Sequence, residues 1–224
     1  MNKCPSCRLP IGSKRCRAME KLVESIKVEC KNKKFGCTEL IAYHMIETKH
    51  EETCPYISCF CPLSSCDYVN SSKNLYEHFS NDHASYSTLF TYDTPFYVGV
   101  IMSQRHIFLQ ERNEGVIFIL NHDISWEERR FGVDCIGPKS FENAFAYILN
   151  ATCGETYMSI EDAPYVFTSW QQHIPGMFRL SITSKLPIYI GRISIQVCIR
   201  KAPPNFRRHH WPITWIGANS LNDR

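Results

Sequence analysis

The chain has 224 residues, a net charge of +3, 21% charged and 44% hydrophobic residues, 12 cysteines and nine histidines. That length allows one large domain or two modest ones with a real core, and the composition excludes wholesale disorder. No apolar run approaches the ~20 residues of a membrane-spanning helix. Met1-Asn2-Lys3-Cys4-Pro5 opens without an apolar signal segment, so an intracellular protein of cytoplasm or nucleus is expected, with no membrane partner.

The cysteines crowd into the first third: nine of the 12 lie at or before Cys66. In a reducing compartment such density points to metal more than to disulfides. The first pair, Cys4-Pro5-Ser6-Cys7, is half of a zinc site. Cys16 offers a third ligand and nothing offers a fourth. A redox role lacks the helix N-terminus that would depress a thiol pKa. Next, Met19, Leu22, Val23 and Ile26 recur at helical spacing, so the stretch from Arg17 to Glu29 is expected to be an amphipathic helix packed on a neighbour.

Two four-residue sets follow. The first is Cys30-x6-Cys37-x12-His50-x3-Cys54, the second Cys59-x6-Cys66-x11-His78-x4-His83. Zinc takes four tetrahedral ligands, thiolate and imidazole, and a structural site fills all four with protein. His50 and Cys54, at i and i+4, fall on one helix face. Gly36 supplies a turn residue able to take positive φ, and Asn70-Ser71-Ser72 offers an N-cap for the second finger's helix. Cys61 competes with Cys59, giving a C-x4-C spacing; the repeat of C-x6-C selects Cys59. Two structural zinc ions are therefore expected, held by Cys30, Cys37, His50 and Cys54 and by Cys59, Cys66, His78 and His83. With four protein ligands each and no carboxylate at the spacing of a general base, neither site reads as catalytic. No nucleophile or other catalytic residue is assigned.

Near residue 84 the composition changes, across a short polar junction that reads as a tight connection. Beyond it, Phe96 to Ile101, His106 to Leu109, Val116 to Leu120, Ala144 to Leu149, Tyr165 to Phe167, Phe178 to Ile182 and Ile188 to Ile199 are β-rich runs. They are separated by turn chemistry at Arg112-Asn113-Glu114-Gly115, Ile136-Gly137-Pro138 and Ile174-Pro175-Gly176. Short strands without helix alternation predict an all-β antiparallel sandwich. From Lys201 the chain reads as a basic tail.

Cys4-Pro5-Ser6-Cys7-Arg8-Leu9-Pro10-Ile11-Gly12, then Ala18-Met19-Glu20-Lys21, then the two fingers, resembles the seven in absentia (SINA-like) family of RING-type E3 ubiquitin ligases. The likeness covers residues 4–83 through specific motifs and residues 84–200 through position and strand-rich character. It implies a RING that recruits the charged conjugating enzyme, a double SIAH-type zinc finger, and a TRAF-like sandwich that binds protein substrates and dimerises. On that pattern residues 1–16 are the end of a RING, 17–29 a linker helix, 30–83 the double finger (a small zinc-bound α+β unit), 84–200 the TRAF-like sandwich and 201–224 a flexible basic tail.

Cys4 and Cys7 match the last ligand pair of the RING, and Arg8 the place where RING domains often contact ubiquitin. A RING needs eight ligands to hold a conjugating enzyme in reactive geometry, and six are not in this chain. The expectation is a component of the ubiquitin pathway that binds protein substrates, pairs with itself or with SINA-like relatives, and is not an active ligase alone. An alternative is ligation through a partner's RING in a heterodimer. A nucleic-acid-binding role is disfavoured: residues 1–83 carry 12 Lys and Arg against 10 Asp and Glu, and Glu47, Glu51, Glu52 and Glu77 would face phosphate.

Overall fold

The computed structural model describes residues 3–4, 6–10, 12, 16–43, 50–124, 128–153, 156–169, 178–183 and 192–206. The turn expected at Ile174-Pro175-Gly176, the start of the run from Ile188 and the tail beyond residue 206 lie outside them.

The chain first builds two small hairpins. Helix α1 (Arg17–Ser25) precedes strand β1 (Lys27–Glu29), which pairs antiparallel with β2 (Leu40–Ala42). The expected helix from Arg17 to Glu29 therefore ends early. Ile26 is already extended and its carbonyl accepts from Tyr43 N–H, so the chain from Lys27 on serves the hairpin instead. Nor does α1 pack as expected. Met19 and Leu22 are each 56% exposed, and no residue of α1 is buried among the described residues. Between β1 and β2 a 3-10 turn over Lys31–Phe35 closes at Gly36, whose φ of 111° a side chain would oppose, with Tyr56 packed where a Cβ would project. Helix α2 (Glu51–Thr53) completes this half.

The second hairpin, β3 (Cys59–Phe60) with β4 (Val69–Asn70), feeds α3 (Ser72–Asp82). Ser71 Oγ accepts from Asn74 N–H at 3.4 Å, and Asn70 Oδ1 accepts from Ser71 N–H at 2.8 Å, so the expected N-cap forms. Leu75 and Phe79, one turn apart, bury the helix's apolar face.

The remaining strands form two facing sheets. They are β5 (Ser87–Phe90), β6 (Phe96–Val100), β7 (His106–Glu111), β8 (Ile117–Ile124), β9 (Glu128–Ile136), β10 (Phe145–Cys153), β11 (Thr156–Asp162), β12 (Tyr165–Phe167), β13 (Leu180–Thr183) and β14 (Ile193–Lys201). One sheet has the order β11-β10-β14-β6. The other runs β12-β9-β8-β7-β5, with β13 also on β9. Pairing is antiparallel except at the two edges, where β12 lies parallel to β9 and β5 parallel to β7.

Between the sheets lies a core that includes Phe118, Leu120, Phe131 and Val133 from one and Tyr147, Leu149, Ile195, Val197 and Ile199 from the other. Strand β14 alternates buried Ile195, Val197 and Ile199 with less buried Ser194, Gln196 and Cys198, the period of a strand covered on one face. Strand β8 does not alternate: Ile117 through His122 are all buried. A run buried on both faces needs cover on both sides, and here the second cover is the zinc-finger region. Leu75 and Phe79 of α3, with Cys59 and Cys61, share one cluster with Phe108, Ile117, Ile119 and Ile136 of the sandwich. Phe79 and Phe108 meet edge to face at 5.3 Å. Polar contacts seal the seam: Tyr76 Oη donates to the Glu111 carbonyl at 2.7 Å, Gln110 Nε2 donates to Ser80 Oγ at 2.9 Å, and Phe60 N–H donates to the Thr168 carbonyl at 2.8 Å. No helix among the described residues is long and apolar enough to cross a membrane.

Candidate metal centres

Each hairpin delivers two cysteines to a point where a following helical segment adds two more ligating groups. In the first, Cys30, Cys37, His50 and Cys54 bring one ligand atom each within 4.8 Å of one another. Cys30 Sγ and Cys54 Sγ are 3.9 Å apart, and Cys37 Sγ is 3.4 Å from His50 Nε2. A tetrahedral zinc with ordinary bond lengths would set those edges at about 3.8 and about 3.6 Å. In the second, Cys61, Cys66, His78 and His83 converge within the same 4.8 Å, with Cys66 Sγ 3.3 Å from His78 Nε2. The Nε2 of His83 is buried and meets no hydrogen-bond partner, an expensive arrangement for an imidazole nitrogen unless a cation takes its lone pair. The donor sets, two thiolate-imidazole tetrads with no place for a water, fit two structural zinc ions.

Cys59, selected by the repeat of spacing, does not join the second group; Cys61 does. Cys59 lies in β3 opposite Asn70, fully buried in the cluster under α3, with its Sγ turned to the Ile57 carbonyl at 3.6 Å. Burial pushes its thiol up to about 12. The hairpins themselves repeat, and not the cysteine spacing. Cys30 directly follows β1 and Cys61 directly follows β3, while Cys37 and Cys66 each stand three residues before the returning strand. The first loop, which contains the 3-10 turn, is two residues longer, which explains why C-x6-C there corresponds to C-x4-C in the second. The signal was present in Lys27-Val28-Glu29-Cys30 against Ser58-Cys59-Phe60-Cys61, where a converging cysteine follows a short strand.

Backbone donors favour thiolate character in both loops. Asn32 N–H approaches Cys30 Sγ at 3.3 Å. Burial, with a smaller push from Cys37 and Cys54, still holds the Cys30 thiol up at about 11, and burial with a smaller push from Cys66 holds the Cys61 thiol up at about 12. Zinc binding at such thiols must release protons.

Cys4 and Cys7 occupy a separate turn. Arg8 N–H donates to the Cys4 carbonyl and Cys4 N–H to the Leu9 carbonyl, both at 2.9 Å, with Arg8 at φ 58°. Neither they nor exposed Cys16 belong to a group of three or more ligating side chains among the described residues.

Paired hairpins holding two Cys/His tetrads, the second sharing a core with a β-sandwich, define a zinc-finger and β-sandwich protein. A family model described as "Sina, zinc finger" matches residues 21–96. SINA-like 6 of Arabidopsis thaliana is 36% identical over 171 residues, 74% of this chain and 59% of that protein. Two further Arabidopsis thaliana relatives are E3 ubiquitin-protein ligase SINA-like 10, 35% identical over 61% of this chain and 39% of the relative, and E3 ubiquitin-protein ligase SINA-like 2, 49% identical over 37% of this chain and 26% of the relative. The finger region thus matches the Sina zinc finger, and the chain is similar to the SINA-like proteins. It spans less than two thirds of the length of each of these relatives.

Proposed function

We propose that this polypeptide serves the ubiquitin pathway as a binding component: the sandwich engages protein substrates and a second copy or a SINA-like relative, and two zinc ions hold the fingers against it. The zinc ligands in this proposal are Cys30, Cys37, His50 and Cys54 at the first site, and Cys61, Cys66, His78 and His83 at the second. The observation that carries it is the apolar cluster shared by α3 and the sandwich, which makes the second finger and the strands one body capable of presenting a bound protein in a fixed orientation. The names of the relatives, E3 ubiquitin-protein ligases, supply the pathway.

Cys4 and Cys7, the pair that resembles RING ligands, join no group of three or more ligating side chains among the described residues, so these 224 residues are assigned no ligase activity by themselves. Purified protein incubated with activating enzyme, conjugating enzymes and ubiquitin tests this. No chain formation is expected, together with co-purification of full-length SINA-like relatives and of their substrates. Chains built by the isolated polypeptide would overturn the assignment, as would failure to pair with any relative.

A further inference from the structure

His78 is held from two directions that its role as a ligand does not itself require. Its ring stacks on Tyr68, centroids 3.9 Å apart and planes within 12°. Its Nδ1 lies 2.7 Å from Asp82 Oδ2, one helical turn further along α3. The other ring nitrogen, Nε2, is the one beside Cys66 Sγ. A neutral imidazole carries its proton on one nitrogen and a lone pair on the other, and a carboxylate at Nδ1 selects the tautomer whose lone pair sits on Nε2.

We propose that Asp82 is the positioning residue of the second zinc site, holding His78 so that Nε2 faces the metal. The proposal rests on the ligand assignment above. The division of exposure suits such a pairing, with the Asp82 side chain 62% exposed and the His78 side chain 9%. The carboxylate keeps its hydration on one side while the ring it orients is dry. The acidic residues beside the first site are engaged elsewhere, Glu51 with Lys31 and Glu52 with Lys139.

A helix-stabilising role predicts the opposite behaviour. Asp82 is the last residue of α3, where a negative charge opposes the helix dipole. Its removal would therefore favour the bare helix while weakening the metal site.

The test uses the full chain loaded with zinc and competed with a chromophoric chelator, comparing wild type, Asp82→Ala, Asp82→Asn and His78→Ala. Asp82→Ala is expected to keep both ions at saturation and to weaken one of them about 10- to 100-fold, the range for loss of an outer partner. Asp82→Asn, an exposed isosteric change that keeps a neutral acceptor, falls between. In long-range 1H–15N spectra of the loaded protein the His78 Nδ1–H resonance moves upfield in both variants. His78→Ala is expected to lose one ion outright. If it does, while both Asp82 variants bind zinc as wild type does with unchanged imidazole resonances, the role of Asp82 is overturned and the ligand set stands. If His78→Ala retains two ions, the ligand set fails and the role of Asp82 with it.

Discussion

The two metal groups of this chain are built alike and embedded differently. Around the first, the buried apolar cluster consists of Cys30, Cys37, Ile41 and Cys54, little more than the ligands themselves. An exposed ion pair, Lys139 with Glu52 at 2.7 Å, reaches from it to the sandwich. Around the second, Leu75 and Phe79 close over Ile117, Ile119 and Phe108, so the finger supplies the outer cover of a sheet that would otherwise expose apolar residues. A small finger buries too little surface to fold without metal. The first finger must rely on its ion, whereas the second adds its ion to a core shared with β7, β8 and β9 of the sandwich. Zinc at the second site is accordingly a component of the sandwich, and zinc at the first holds a local appendage.

The most severe way to break this comparison is to remove a ligand at each site. Cys61→Ala should cost one zinc ion and, with it, a contribution that in zinc-finger peptides is on the order of 10 kcal/mol. The melting of the sandwich should move with it, whereas Cys30→Ala should cost one ion and leave the sandwich transition in place. Cys59→Ala should retain both ions, which metal analysis of the three purified variants will show.

Packing should respond next. Phe79→Ala opens a cavity in the shared cluster and is expected to destabilise α3 and the sandwich together by about 3–5 kcal/mol, measured by urea unfolding followed separately in the far and near ultraviolet.

How much of this was legible in the residues varies from strand to strand. Val116 to Leu120 announced a strand because both faces are covered, and the second cover, α3, could not be read from that run alone. Glu128–Ile136, an interior strand of its sheet, hid behind Glu128, Arg129 and Arg130. Arg129 is buried nonetheless, donating from Nε to His122 Nε2 at 3.0 Å and from Nη2 to the Val100 carbonyl at 3.2 Å. Pattern reading treats such a residue as solvent-facing because the partners lie far along the chain. The Met19, Leu22, Val23 and Ile26 stripe gave a helix correctly as far as Ser25, yet periodicity says nothing of what covers it. Spacing pointed to Cys59 while the side chains converge at Cys61 for a similar reason: spacing counts residues, and the convergence follows the end of a strand.

The buried His122 gives a smaller effect, remote from both metal sites and therefore a control on them. Burial, and the charges of Arg129 and Arg105, depress its pKa below the ordinary value, against the Gln104 carbonyl and Asp123, which raise it. Below about pH 6.5 the unfolded chain takes up the proton before the folded one does, so this contribution to stability is present at neutral pH and declines as the pH falls. His122→Gln should be less stable than wild type at pH 7.5, and the gap should narrow by pH 5.5. Zinc release in acid affects both proteins alike and cancels in the difference. A gap that widens towards acid would contradict the account of His122.

At the lower end, Lys139→Ala removes an exposed pair, and pairs of that kind contribute little. It should leave the thermal transition of the sandwich unchanged. A shift there would mean that the first finger is anchored more firmly than its contacts indicate.

Stepwise chelation of the zinc-loaded chain, with amide hydrogen exchange followed in β7 and β8, tests the division between the two sites most directly. The first ion should leave with loss of protection confined to β1, β2 and α2, while Leu109, Ile117 and Ile119 remain protected until the second ion is removed. Loss of protection at those sandwich amides with the first ion, or their retention after both are gone, would contradict it.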